Sequence, residues 1–283
     1  MHARGSTALA RGAGRLEQFR YGLAQPLLGA RLLLREPELR GRAVVPVLVV
    51  LGVCVAAAAL GGQRSGAPLG RVSTFFFTLI AVASMPPVLF ANGFSRLAVT
   101  TRERLGLGRR RPHLRSLGEL LREVVQQAVV LAIGLLPLLL LAEMVPVLGG
   151  ILAWILGALW TLHWIVVEAF DAARTLPDDA DDAEGVADAE GAAPWFARIY
   201  NVGGGERVRP IRWFAGMVTR LGARWRGEVA LIEAQPWLAA GFSLGAAVLL
   251  ALPGVNLLFR PVIVIAAAHV HGRLDAAAPP SGS

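Results

Sequence analysis

Three ionisable side chains stand in or beside stretches that are otherwise apolar: Glu143, His163 and Glu168. Holding such a group at membrane depth is costly, which makes each a candidate for passing an ion or a proton. Glu143 falls near a turn, and Glu168 stands beside Asp171 where an apolar stretch ends. The plainer reading of both is therefore a surface or boundary position. A second candidate is the run Pro37-Glu38-Leu39-Arg40-Gly41-Arg42, which lies where an interfacial segment turns into an apolar one. Free backbone N–H groups at a helix start, with Arg40 and Arg42, can hold an oxyanion. The competing reading is that the arginines only anchor the helix at the lipid headgroups. Glu38 argues against a high-affinity anion pocket.

Other combinations carry less. His269-Val270-His271 has no cysteine or carboxylate beside it, so it is a poor metal site. Asp179, Asp181 and Glu190 match positions one, three and twelve of a calcium loop. However, Ala183 and Glu184 occupy the positions that need a ligand and a glycine. The Gly203–Gly205 run is followed by no Lys-Ser/Thr and is no phosphate loop. Ser84, Ser95 and Ser243 have no histidine or acid at a persuasive spacing. Nothing here points to catalysis, to a cofactor or to a bound metal.

The elements that would position these residues are set by where charge is missing. Of 283 residues, 55% are hydrophobic and 17% charged, with a mean hydropathy of +0.55. No Asp, Glu or Arg occurs in 43–63, 72–95, 124–142, 144–167 or 234–259. Each gap is about the 20 apolar residues that a bilayer-crossing helix needs. Five such gaps in one chain exclude a soluble domain. The formal charge is +8, and every basic residue is an arginine. Because the arginines cluster beside apolar runs, a membrane surface explains them better than nucleic acid. Cys54, the single cysteine, lies inside an apolar run, which leaves no disulfide framework. No short apolar stretch with a cleavage site follows the basic start, so no cleaved signal peptide is expected.

The expected fold is all-α and membrane-integral. Residues 1–14 read as a disordered N-terminus, 15–272 as one membrane domain, and 273–283 as a disordered tail. From Arg15 to Arg35, Leu16, Phe19, Leu23 and Leu27 recur at helical spacing, predicting an amphipathic helix on the membrane, broken near Pro26. A first long span is expected over Ala43–Leu60, ended by Gly61-Gly62, and a second over Val72–Ala98, kinked at Met85-Pro86-Pro87. Ser116–Glu119 reads as a capping box. Two apolar stretches, 124–167 and 236–270, are each interrupted centrally, by Pro146 and Gly149 in one and by Pro253 and Asn256 in the other. Their halves are short, which suggests helical hairpins that only partly penetrate the bilayer, with the breaks covered by protein. Residues 177–193 form an acidic linker. Beyond it, Ile211, Trp213, Phe214, Met217, Val218, Leu221 and Trp225 share one face of an amphipathic interfacial helix. Arg209, Arg212, Arg220 and Arg226 share the other face, with Arg224 at the border. Residues 1–42, 96–123 and 174–226 carry eight arginines each, whereas 62–71 carries two. The positive-inside rule then puts both termini on the cytoplasmic side of a bacterial inner membrane.

Several of these pieces resemble one family. Leu34–Arg40 followed by Val45-Pro46 resembles the "P-G-L-R … P" start of CysZ-type sulfate permeases, and Val145–Gly149 their "I-P-x-I-G" hairpin turn. Glu168–Asp171 is similar to the segment that closes that hairpin. Leu252–Leu258 with Pro261 and an Ala-rich run to His269 looks like "I-P-x-x-N-L-L-x-x-P … A-A" of the etoposide-induced protein 2.4 family, to which CysZ belongs. The likeness covers about residues 15–175 and 236–272. It implies two long transmembrane helices, partly penetrating hairpins, a homo-oligomer and passage of an anion such as sulfate. Carried over residue by residue, its anion-binding start falls on Leu39 and Arg40, after Pro37. Glu38 departs from it where a glycine would free the backbone, and the acidic linker departs as well. The leading expectation is an anion permease, against a non-transporting scaffold that organises lipid or partner proteins.

Overall fold

Small side chains decide how the helices of this chain meet. The structure, a computed structural model, describes residues 14–65, 68–83, 90–145, 148–177, 193–200, 207–251 and 256–277. In order come α1 (Arg15–Arg35), α2 (Pro37–Ser65), α3 (Pro68–Ala83) and α4 (Ala91–Arg104). A short strand β1 (Arg110–Pro112) precedes α5 (Leu117–Ile133), α6 (Leu136–Glu143) and α7 (Gly149–Ala172). Strand β2 (Thr175–Pro177) and α8 (Trp195–Arg198) follow, then α9 (Arg209–Leu221) and a 3-10 turn at Ala223–Trp225. Helices α10 (Arg226–Ala234), α11 (Pro236–Leu250) and α12 (Asn256–Ala277) end the described chain.

Helix α1 threads between α11 and α12. A side chain at Gly22 would sit 2.1 Å from the Leu238 carbonyl oxygen, one at Gly241 2.0 Å from that of Phe19, and one at Gly29 2.3 Å from that of Val262. Backbones this close need glycine, the usual device of helices packing inside a membrane. Gly22, Gln25, Pro26 and Gly29 are the buried positions of α1, while Leu16, Leu23, Leu27 and Leu34 are exposed. This corrects two expectations. The helix runs unbroken through Pro26, whose ring packs beside Gly245. Those four leucines face outward, Leu32 and Leu33 pack against the first core, and the small residues face the protein.

Among the described residues, three helical stretches are long and apolar enough to cross a membrane: Pro37–Gly61, Leu117–Glu143 and Gly149–Ala172. The first holds the first expected long span. Helix α2 continues past Gly61-Gly62 to Ser65, because Gly61 is used for close contact with Thr74 of α3 rather than as a stop. The second expected span runs over residues 84–89, which, with the Met85–Pro87 kink, lie outside the described residues; α3 ends at Ala83 and α4 begins at Ala91. The two arms of the first hairpin are instead of crossing length, longer than expected. The first arm breaks at Gly134, where Tyr200 Oη donates to the Gly134 carbonyl at 2.7 Å and Trp160 Nε1 to that of Leu131 at 3.2 Å. Freed carbonyls are thus satisfied by protein, as a break at membrane depth requires.

One hydrophobic core gathers Phe94, Leu97, Phe170, Phe242 and the alanine face of α12. A second gathers Val130, Trp160, Trp164, Phe196, Val218 and Trp225. Helix α9 contributes Val218 to this second core, and only its outer end leaves Trp213 63% exposed, so it is docked on the bundle rather than lying free. The tail expected from residue 273 begins inside α12, and Asp275 accepts from buried Arg102 at 2.8 Å and from Arg110 at 3.0 Å.

Candidate functional site

The chemistry-bearing part of the molecule lies where α5 starts and α7 ends. Ser116 and Glu119 form the capping box there, each side chain bonded to the other's backbone N–H, which fixes the first turn of α5. Positions 119, 122, 123 and 126 then share one face. Just upstream, Asn92 of α4 grips residue 115 twice: its Nδ2 donates to the Arg115 carbonyl at 2.9 Å, and its Oδ1 accepts from the Arg115 N–H at 2.8 Å. Ser95 accepts from the His113 N–H at 2.7 Å and donates to the Arg174 carbonyl at 3.0 Å. Antiparallel pairing of β1 with β2 ties the same two connections together, with Arg111 opposite Leu176. Polar residues of α4 therefore hold both ends of the α5–α7 hairpin in register.

On that frame sits a buried quartet. Arg115 Nη2 donates to Asp171 Oδ1 at 2.8 Å, and its Nη1 lies 3.2 Å from both Asp171 Oδ2 and Glu123 Oε2. Arg224, from the 3-10 turn after α9, donates to both Asp171 oxygens at 3.3 Å and pairs with Glu123. The side chains of Arg115, Glu123 and Asp171 are 4–5% exposed. Two guanidinium groups and two carboxylates alternate, so the buried charge sums to zero, as burial demands. Above the quartet opens a cleft of about 340 Å³, lined also by His113, Glu119, Arg122, Gln126, Arg174 and Arg220. Among the described residues Arg122 and Arg220 form no ion pair, and Arg174 reaches Glu228 only at 3.8 Å. Burial, aided by nearby Arg115, pushes the His113 imidazole down to about 4, so it is neutral at pH 7. Burial likewise raises the carboxyl of Glu228 to about 7.

The polar residues continue inward. One turn deeper on the same two helices, Gln127 of α5 donates to Glu168 of α7. Arg260 of α12 lies 3.8 Å from Glu168. Phe94, Ile165, Leu250 and Ile263 surround this second, mainly apolar pocket, a small one of about 30 Å³. The Glu123–Asp171 level and the Gln127–Glu168 level thus form two rungs of a polar ladder between helices of membrane-crossing length.

A family model described as Sulfate transporter CysZ/Etoposide-induced protein 2.4 matches residues 25–188, more than half of the chain. The chain belongs to this family. It is a multi-pass membrane protein by that membership and by its apolar helices. No curated protein and no solved structure matches it. The part matched to the CysZ/etoposide-induced protein 2.4 model includes Arg115, Glu123, Gln127, Glu168 and Asp171, whereas Arg224 and Arg260 lie beyond it.

Within this family member, the residues singled out from sequence are scattered. Leu39 is fully buried in the first core, while Arg40 and Arg42 are exposed. The carboxylate of Glu38 is already held by Arg42 at 3.4 Å and by Arg104, and the Arg40 N–H donates to Glu36 O at 3.1 Å. The oxyanion cradle expected at this helix start therefore has an internal carboxylate against its arginines and one of its backbone donors committed. Glu143 is exposed at the end of α6. His163 packs among Trp160, Trp195 and Phe196, with centroids 5.5–6.2 Å away. Gly149 opens α7 where a β-carbon would sit 2.6 Å from the Ala142 carbonyl oxygen, so the tight approach needs glycine. Pro146 and Pro253 lie outside the described residues, as do the kink at Pro86 and the acidic residues 178–190; of Asn256 only its place at the start of α12 is described. His269 Nδ1 bonds Gln25 Oε1 at 2.8 Å and His271 stacks edge-on with Phe170, and among the described residues no His/Cys/Asp/Glu cluster could hold a metal. Of the suspects, only Glu168 stands on the ladder. The quartet itself was missed, although an arginine directly before a capping box and an aspartate closing an apolar helix were visible signals.

Proposed function

We propose that this protein is a permease or channel that lets a small oxyanion cross the bacterial inner membrane, with the arginine-lined cleft as its cytoplasmic mouth. The observation that carries the reading is the two-rung ladder, which leads from the cleft into the apolar hairpin. Rims of arginine are how anion-selective pores collect their ions, and polar groups at membrane depth belong to pathways by default. The arginine-rich segments 96–123 and 174–226 both border the cleft, which favours a cytoplasmic position for it and for the termini. The family description makes sulfate the first cargo to test. The activity is passage without catalysis, and no cofactor is invoked. A homo-oligomer fits as well: α2 is almost wholly unburied, and its apolar surface needs lipid or a second copy against it. That same surface is what favours the rival reading, a scaffold that organises lipid or partner proteins without transport.

Radiolabelled sulfate uptake by the purified full chain in liposomes tests the reading. Flux above that of empty vesicles, lowered at least fivefold by Arg122→Ala with Arg220→Ala, supports it. Equal flux with and without protein, for phosphate as well as for sulfate, overturns it in favour of the scaffold.

A further inference from the structure

Donors and acceptors are mixed in the cleft, and that mixture bears on which oxyanion it takes. Sulfate at neutral pH has four oxygens that only accept hydrogen bonds. Hydrogen phosphate shares its shape but still carries a proton at pH 7, whereas a phosphate monoester, with its second ionisation at about 6, carries one only in its minor monoanionic form. A site made only of donors suits both anions. A site that also presents a carboxylate oxygen penalises sulfate, because two acceptors then face each other with no proton between them.

The cleft is of the second kind. Its donors are Arg122, Arg220 and the loosely held Arg174. Behind them Arg115 is more than nine-tenths buried, and its Nε–H has no hydrogen-bond partner among the described residues; the Nε–H of Arg224 has none either. Buried guanidinium donors without an acceptor are rare, and they add positive potential behind the cleft. The acceptors come from the same lining. Glu119 uses one carboxylate oxygen on the Ser116 N–H and has the other uncommitted among the described residues. Neutral His113 has one ring nitrogen that accepts. Glu119 and Arg122 are three residues apart on α5 and so lie on one face.

We propose that the cleft binds a proton-bearing phosphoryl group, either free hydrogen phosphate or the singly protonated form of the monoester headgroup of a phosphatidic-acid-type lipid, in preference to sulfate. Glu119 accepts the P–O–H proton while Arg122, Arg174 and Arg220 hold the remaining oxygens. This rests on the cleft being an anion mouth, and the experiment separates the two claims.

The full chain is placed in phosphatidylcholine nanodiscs at pH 7, and equilibrium binding of labelled inorganic phosphate and labelled sulfate is measured. Phosphate is expected to bind at least tenfold more tightly. Glu119→Gln keeps the capping box, since glutamine serves at that position, but replaces the acceptor with a group that can donate. It should cut the phosphate-to-sulfate ratio at least fivefold, chiefly by tightening sulfate. Sulfate binding as tight as phosphate, or a ratio unmoved by Glu119→Gln, overturns the inference while leaving the anion mouth standing. Binding of neither anion overturns both. Phosphatidic acid included in the disc distinguishes the sources: competition with phosphate, not reproduced by the diester phosphatidylglycerol, marks the lipid headgroup as the occupant, and no competition marks the free ion. Either result supports the shared chemistry.

Discussion

Replacing Arg115 with methionine should be among the most damaging single changes in the molecule. Arg115 supplies both a bidentate pair to Asp171, at 2.8 and 3.2 Å, and a contact to Glu123 at 3.2 Å. All three side chains are at most 5% exposed, so water cannot take over when the arginine goes. Two carboxylates would then share Arg224 alone. Stranding one buried charge costs about 3–5 kcal/mol. For a chain of this size that corresponds to a fall of roughly 6–20 °C in the unfolding midpoint. Circular dichroism of the purified protein in detergent measures it. The double variant Arg115→Met with Asp171→Leu leaves Arg224 facing Glu123, one charge against one. Its cost should fall short of the summed single costs by at least about 2 kcal/mol, the size of coupling seen for groups in one network. A single-variant loss below about 3 °C would refute the reasoning, and so would additive costs in the double.

Gly241→Val drives a side chain into the Phe19 carbonyl, 2.0 Å from its β-carbon, and should cost at least about 3 kcal/mol or prevent folding, read as lost monodisperse protein in detergent. Glu228 titrates with the opposite sign to a salt-bridged acid. Its raised pKa means that the folded state keeps a proton that the unfolded chain loses from about 4.5 upward, so stability is full at low pH and declines as pH rises to about 7. Glu228→Gln should remove that decline and be more stable than the native chain at pH 8 by up to about 3 kcal/mol; parallel melting curves at pH 5 and pH 8 check it. If the α5–α7 hairpin crosses the membrane fully, a cysteine at exposed Met144 reacts with impermeant maleimide from the face opposite one at exposed Ser116, in a background where Cys54 is replaced; same-side labelling defeats a full crossing.

What was legible in the sequence was whatever is encoded locally. The Ser116–Glu119 capping box is a four-residue signal and is present as read. The apolar runs translate directly into helices because length and composition suffice. The quartet was not legible, because its members are brought together by α4. Arg115 is 56 residues from Asp171, and Arg224 is 53 beyond it. Each taken alone resembles the ordinary charge that marks a membrane boundary. Helix α1 misled for a different reason. A leucine stripe says that one face is apolar but not whether that face meets protein or lipid. In water the stripe would turn inward; here the deciding residues are Gly22, Gly29, Gly241 and Gly245, whose lack of side chains lets backbones touch. Pro26 is tolerated in that seam because it packs onto Gly245.

The two rungs of the ladder differ in a way that bears on how an anion could move between them. The outer rung is neutral and tightly cross-bonded, with each guanidinium shared between two carboxylates. The inner rung has one carboxylate, held by the amide of Gln127, with its arginine 3.8 Å away. A well-paired cation offers little to a passing anion, since the anion must displace a carboxylate already in place. Arg260 stands deeper than the cleft, beside Glu168, and is the cation that an ion leaving the cleft would meet on the way inward. Helix α12 delivers Arg260 from outside the family-matched segment, so any passage through this protein depends on a contact between the α5–α7 hairpin and the C-terminal helices. Removing Arg260 should then reduce flux while leaving phosphate binding in the outer cleft intact, a separation that a single-site mechanism does not allow.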